Sequence, residues 1–154
     1  MIETRRIFLV RSAGFLALAG GALSGAPSQA TPQAMAALIA EIAAGREIKK
    51  GKVTLDLPPL IDNGNAVPMT VAVDSPMSER DYVKTIHVVN EKNPQPHVIV
   101  CHLGPRAGRA AFSTRIKLAD AQTVTAIAEM SDGTLWMDSA NVIVTLAACL
   151  EDIL

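Results

Sequence analysis

The chain has 154 residues, a formal net charge of −1, and 49% hydrophobic side chains of which few are aromatic. That length fits a single domain with a modest core. Without a basic stripe, and with one Trp and one Tyr, nucleic-acid binding has no electrostatic or stacking basis. Two cysteines cannot build a disulfide scaffold, so Val, Ile, Leu and Ala must carry the fold.

Residues 1–30 read as an export signal. Arg5, Arg6 and Arg11 make a basic start, Ala13 to Leu23 an apolar stretch, and Ser28-Gln29-Ala30 a small-residue cleavage site. The apolar stretch is too short to span a bilayer as a helix. Thr4-Arg5-Arg6-Ile7-Phe8-Leu9 has the pattern of a twin-arginine signal. The expectation is export of a folded protein, cleavage near Ala30, and a periplasmic product with no membrane attachment. Loss of three arginines and one glutamate leaves that product slightly more acidic.

Residues 31–50 carry a helix signal. Thr31 suits the cap, Pro32 the first turn, and Ala34 to Ala44 are good helix formers, with Leu38, Ile39 and Ile42 on one side and Gly45 as a stop. Over residues 51–146 the period changes to two. Lys52–Leu57, Val67–Val73, Val83–Val89, His97–Leu103, Phe112–Leu118, Thr123–Met130, Thr134–Met137 and Val142–Leu146 are rich in β-branched residues. Pro58-Pro59, Asn63-Gly64-Asn65, Asn93-Pro94, Gly104-Pro105 and Asp132-Gly133 separate them. The fold class predicted is mainly β: an immunoglobulin-like antiparallel β-sandwich preceded by one short N-terminal helix.

Residues 147–154 form a tail holding Cys149. A thiol near a chain end can enter another protein's active site without moving the fold behind it. The competing reading is a small apolar residue closing the last strand. Elsewhere the chemistry is thin. His87, His97 and His102 with Cys101 have no zinc-pair spacing, and neighbours on a strand face opposite sides, Cys101 with Ile99 and Leu103, His102 with Val98 and Val100. Asp74, Glu79 and Asp81 flank the turn Ser75–Ser78 as loop carboxylates. Gly104 to Arg109 lacks the ending of a phosphate loop. No catalytic residue, metal site or cofactor is therefore assigned, and the chain reads as something other than an enzyme. A Cys101–Cys149 disulfide is left open, because it depends on Cα separation.

Several segments together resemble the SoxY family, the sulfur-carrying subunit of bacterial thiosulfate oxidation. They are Asn63-Gly64-Asn65 with Val67-Pro68, Val73-Asp74-Ser75-Pro76-Met77, Asp81-Tyr82-Val83, Lys92-Asn93-Pro94-Gln95-Pro96 and Thr114 to Ala119. Gln122-Thr123-Val124, Asp132-Gly133-Thr134-Leu135-Trp136 and Val144-Thr145 follow in order. The resemblance implies an immunoglobulin-like sandwich paired with a smaller sandwich subunit, SoxZ, in a heterodimer. It also implies a cysteine near the carboxyl terminus, within Gly-Gly-Cys-Gly-Gly, that holds sulfur intermediates covalently. The partners implied are a haem c enzyme that couples thiosulfate, a manganese hydrolase that releases sulfate, and a sulfane dehydrogenase.

The family cysteine matches Cys149, but its four glycines are replaced by Ala147, Ala148, Leu150 and Glu151, with Asp152 next. Alanine stiffens the approach, Leu150 adds bulk, and the carboxylates disfavour a thiolate. Two functions follow as expectations. One is a periplasmic sulfur carrier with Cys149 as the attachment point. The other is a SoxY-like subunit that pairs with its partner without carrying sulfur in the usual pathway.

Overall fold

The structure, a computed structural model, describes residues 30–147. The helix α1 spans Pro32–Ala43, with Thr31 Oγ1 accepting from Ala34 N at 3.1 Å and Pro32 opening the first turn. It stops where Ala44 turns left-handed (φ 48°) and Gly45 follows at φ 79°. Arg46 then folds back, donating to the carbonyls of Ala43 (3.0 Å) and Ile42 (3.1 Å), where a cation offsets the partial negative charge of the helix end. The same guanidinium reaches Gly133 O and Glu129, so it pins the helix to the sheet below.

The strands are β1 (Ile48–Lys50), β2 (Val53–Asp56), β3 (Leu60–Ile61), β4 (Val67–Val73), β5 (Val83–Asn90), β6 (His97–His102), β7 (Ala111–Ile116), β8 (Gln122–Met130) and β9 (Leu135–Val144). Short 3-10 turns lie at Gly64–Ala66 and Pro105–Ala107. The larger, six-stranded sheet runs β1-β9-β8-β5-β6, with β3 also paired to β9; the smaller sheet is β2-β4-β7. Pairing is antiparallel except for β1 and β3, which lie parallel to β9. This is the helix-then-sandwich architecture expected from the sequence.

Alternation decides which side chains meet. Val67, Met69, Val71 and Val73 of β4 face Ile86 and Val88 of β5 and Val124, Ala126, Ala128 and Met130 of β8, all buried in one core between the sheets. The outer face of the larger sheet is covered at one end by α1, where Ile39, Ile42 and Ala43 pack on Ile127, Leu135, Ile48 and Met137. Burying each such aliphatic side chain contributes about 1.5–3 kcal/mol.

Three details differ from the sequence reading. Residues 31–50 are not all helical, because Ile48–Lys50 pair with Leu135–Met137 as β1. Leu60–Ile61 form a second short strand, paired with Ile143 and Val144. Thr134–Met137 and Val142–Leu146, expected as two strands, are one strand, β9. Its polar middle stays in the sheet because each polar group finds a partner. Asp138 Oδ2 accepts the Leu55 N–H of β2 at 2.9 Å, Ser139 Oγ meets Thr125 Oγ1 at 2.8 Å, and Asn141 Oδ1 accepts from Thr123 Oγ1 at 3.0 Å.

One buried polar group fails that test. Asn90, fully buried at the end of β5, makes no side-chain hydrogen bond among the described residues with either Oδ1 or Nδ2. It pairs with Val124 on the core side, where an unsatisfied amide costs about 1–3 kcal/mol. Asn90→Val is therefore expected to raise the stability by about 1 kcal/mol, measured by urea unfolding; a loss of that size would show that the amide has a partner.

Candidate functional site: the root of the C-terminal tail

Beyond Val144 the chain leaves the sheet, and backbone geometry fixes where. Thr145 N donates to Ile61 O at 3.0 Å, and Leu146 O accepts from Gly64 N at 2.8 Å. Gly64 is itself held, because its carbonyl accepts from Leu118 N at 2.8 Å. Asn63 shapes this turn: its Oδ1 accepts from Asn65 N at 2.9 Å, the Asx arrangement that bends a chain over two residues. Thr145 Oγ1 adds longer bonds to the carbonyls of Ile61 and Asp62. The tail thus starts from a clamp built by β3, the Asn63–Asn65 turn and the segment after β7.

Of the expected site residues, only Ala147 is described; it is exposed just past this clamp. Ala148, Cys149, Leu150, Glu151 and the signal residues Arg5 and Arg6 lie outside the described residues. Around the root three large apolar side chains are exposed beside the polar Asp62, Asn63 and Thr145. Leu60 and Ile143, neighbours in register, are 58% and 60% exposed, and Leu146 is 63% exposed. Sequence reasoning named none of Leu60, Ile61, Gly64 or Ile143 for the site. The Asn-Gly-Asn turn was visible as a strand separator, but nothing local shows that it grips residue 146.

Cys101 is a free, half-buried thiol on β6, opposite Ile86 and packed against the core with Ile99 and Leu103, as its alternation predicts. Its cross-sheet row continues through Ala128 to Trp136. Trp136 to Val144 is about 26 Å along the strand, and three strand spacings add about 14 Å sideways. Five residues beyond Val144 span at most about 18 Å. A Cys101–Cys149 bridge is out of reach.

A bulge between Val88 and Val89 places His97 opposite Val89, on the outer face with His87. His87 Nδ1 and His97 Nε2 lie 3.3 Å apart with the rings stacked, while His102 Nδ1 meets Thr85 Oγ1 at 3.2 Å. Among the described residues no three His, Cys, Asp or Glu side chains are grouped to hold a metal ion. Asp74, Glu79 and Asp81 are exposed around a turn that Met77 anchors: its side chain is buried and its sulfur accepts Val83 N–H at 3.4 Å. Arg106 and Arg109 are exposed.

The other segments singled out in the sequence are framework. Gln122 Oε1 accepts Lys92 N at 2.8 Å, and Asn93 Oδ1 accepts Ala119 N at 3.0 Å and Gln122 Nε2 at 3.1 Å. Asp132 Oδ1 accepts both Thr134 N and Thr134 Oγ1 in the β8–β9 turn.

Two outcomes follow from this geometry. Asn63→Ala removes the bend that presents Gly64 N–H to Leu146. It is expected to cost about 1 kcal/mol and to speed hydrogen exchange at Gly64 and Thr145 while leaving β8 protected. Burial holds the His87 pKa below 6.5, helped by His97 and His102 and opposed by Glu129. The unfolded chain then takes up its proton first, so this contribution is complete above about pH 6.5 and is lost as the pH falls through that value. Melting temperatures between about pH 7.5 and 5 should show the decline, and His87→Gln should flatten it.

Comparisons with known proteins agree with this architecture. The chain is similar in structure to the sulfur carrier protein SoxY from Chlorobium limicola f thiosulfatophilum, with a TM-score of 0.56, 24% identity, and coverage of 71% of this chain and 96% of that one. It is also similar to a superoxide reductase (neelaredoxin) from Ignicoccus hospitalis, at 0.55 and 15% identity over 75% of this chain and 94% of that one. A putative superoxide reductase from Thermotoga maritima gives 0.52 and 19% identity, with coverage of 64% and 88%. At these identities the likeness is one of fold. No curated protein matches the chain by sequence. The family model for the sulfur oxidation protein SoxY matches residues 39–149, from within α1 through the framework segments and the clamp to Cys149 itself, and the chain belongs to the SoxY family.

Proposed function

We propose that this chain is a periplasmic sulfur carrier of thiosulfate oxidation, with Cys149 as the covalent attachment point. The observation that carries the reading is the clamp at Leu146, which roots a tail bearing a thiol three residues further on, at the position where the family match ends. A rigid root with a short tether presents a sulfur to an outside active site and keeps the domain clear of it. The chain supplies the thiol and its placement; enzymes supply the chemistry.

In the loading step Sγ bonds to the sulfane sulfur of thiosulfate. The thiol proton and two electrons leave, the electrons to a haem c partner, and the product is a Cys–S–S–sulfonate. Hydrolysis by the manganese enzyme then adds water, releases sulfate and one proton, and leaves a persulfide on Cys149. A sulfane dehydrogenase would act on that sulfur. Export by the twin-arginine route through Arg5 and Arg6 brings the folded chain to the periplasm, paired with a SoxZ-like sandwich subunit. The exposed edge of the larger sheet at β6, with Val100 42% exposed, is a surface suited to that pairing.

The replacement of glycine by Ala147, Ala148, Leu150 and Glu151 favours a second reading, a pairing subunit whose tail has left the pathway. Intact mass spectrometry of protein recovered from the periplasm of thiosulfate-grown cells separates the two. A carrier shows sulfur or thiosulfonate adducts that Cys149→Ser lacks. A pairing subunit shows a bare chain in both samples, with the smaller partner still bound.

A further inference from the structure

Among the described residues four large apolar side chains stand out as exposed, and three of them, Leu60, Ile143 and Leu146, belong to the β3–β9 pair and the segment just after it. Ile143 and Leu60 are held side by side by the β3–β9 pairing, and Leu146 is fixed by the clamp on Gly64. All three sit on the hydrogen-bonded backbone that roots the tail, as an apolar collar of positions around its start. Scattered exposed leucines need no explanation, but a cluster at a functional position does.

The tether sets what must meet this collar. Cys149 is three residues beyond Leu146, so its Cα lies at most about 11 Å from that of Leu146. An enzyme that surrounds the thiol must bring the rim of its cleft against the surface from which the tail emerges. We infer that Leu60, Ile143 and Leu146 form the docking surface for an apolar rim around the cleft of the enzyme that loads Cys149. The inference rests on the carrier reading and adds the contact that makes so short a tether workable. Apolar contact suits a task in which successive partners must be released. It fixes no charge pattern, so rims that share only their apolar character can use the same collar.

The test compares the wild type with the variant Leu60→Thr, Ile143→Thr, Leu146→Thr, which keeps strand-compatible side chains and changes no charge. Ala37→Ser, at an exposed apolar site on α1, serves as control. Each protein is assayed twice by intact mass: for Cys149 adducts after growth on thiosulfate, and for chemical loading of the purified chain with tetrathionate. The second reaction transfers a thiosulfonate to the thiol with release of thiosulfate and a proton, and needs no enzyme.

The triple variant is expected to lose about tenfold or more of its adduct in cells, a difference of about 1.4 kcal/mol in productive docking, while its tetrathionate loading and the behaviour of the control stay at the wild-type level. Adduct in cells at the wild-type level would overturn the inference and leave the carrier reading standing. A change in tetrathionate loading would also overturn it, since the collar would then be acting on the chain's own residues 148–154. A wild type that tetrathionate loads but cells do not would take down the carrier reading, and this inference with it.

Discussion

The pairing of β9 on both edges is the constraint on which the rest of the structure depends. Along one edge β9 matches β8 from Leu135 to Val142; along the other it receives β1 at its start and β3 at its end. Over those two stretches β9 exposes no edge to other chains, and its direction is fixed at both ends. It carries the floor of the core through Ala140 and Val142, part of the seat of α1 through Leu135 and Met137, and the junction with β2 through Asp138. The tail inherits its starting point from this strand. Were β3 absent, Thr145 would lose its bond to Ile61 and the thiol would hang from a loose end.

Much of this was legible in the sequence. The alternation in Val67–Val73 returns as β4 with the same bounds, and Thr31-Pro32 and Gly45 frame the helix as their backbone preferences require. These signals are local: a period, a cap, a turn. What was missed depends on residues far apart in the chain. Ile48–Lys50 and Leu60–Ile61 are too short to show a period, and they are strands only because β9 offers them an edge. Asp138 to Asn141 falls between two expected strands, and with three polar side chains in four residues it carries no apolar alternation to join them. The partners that keep them extended are Leu55, Thr125 and Thr123. The thiol itself was read from its position, while the clamp that gives the position its meaning joins Gly64 to Leu146 and has no local signature.

The division of labour within the molecule explains why the resemblance rests on so many turn residues. Asn63, Asn93, Gln122 and Asp132 are spent on backbone groups of loops that end strands. They set register and loop path, and a sandwich that must keep one end rigid needs both. The aliphatic core tolerates exchange of one branched side chain for another of similar volume, so it leaves a fainter trace. A family of this kind is recognised by its joints. The similarity in fold to superoxide reductases fits the same view: the sandwich is a support, and function belongs to what is placed on it.

Residues 148–154 follow the last strand in the chain, so their composition bears first on the chemistry of the thiol among them. Glu151 and Asp152 follow Cys149 by two and three residues, so their backbone positions lie within about 11 Å of it. That is comparable to the Debye length of about 8–10 Å at physiological salt, and screening removes only part of the repulsion. On the carrier reading, both a thiolate and a thiosulfonate on Cys149 would carry negative charge and meet it. A partner that accepts this tail gains by bringing cationic groups into its cleft, which would neutralise carboxylates and sulfonate together. The same charges slow attack by free anions in solution. On the carrier reading, side chains that weaken the bare thiol as a nucleophile would thus restrict its loading to a site that supplies the compensating charge.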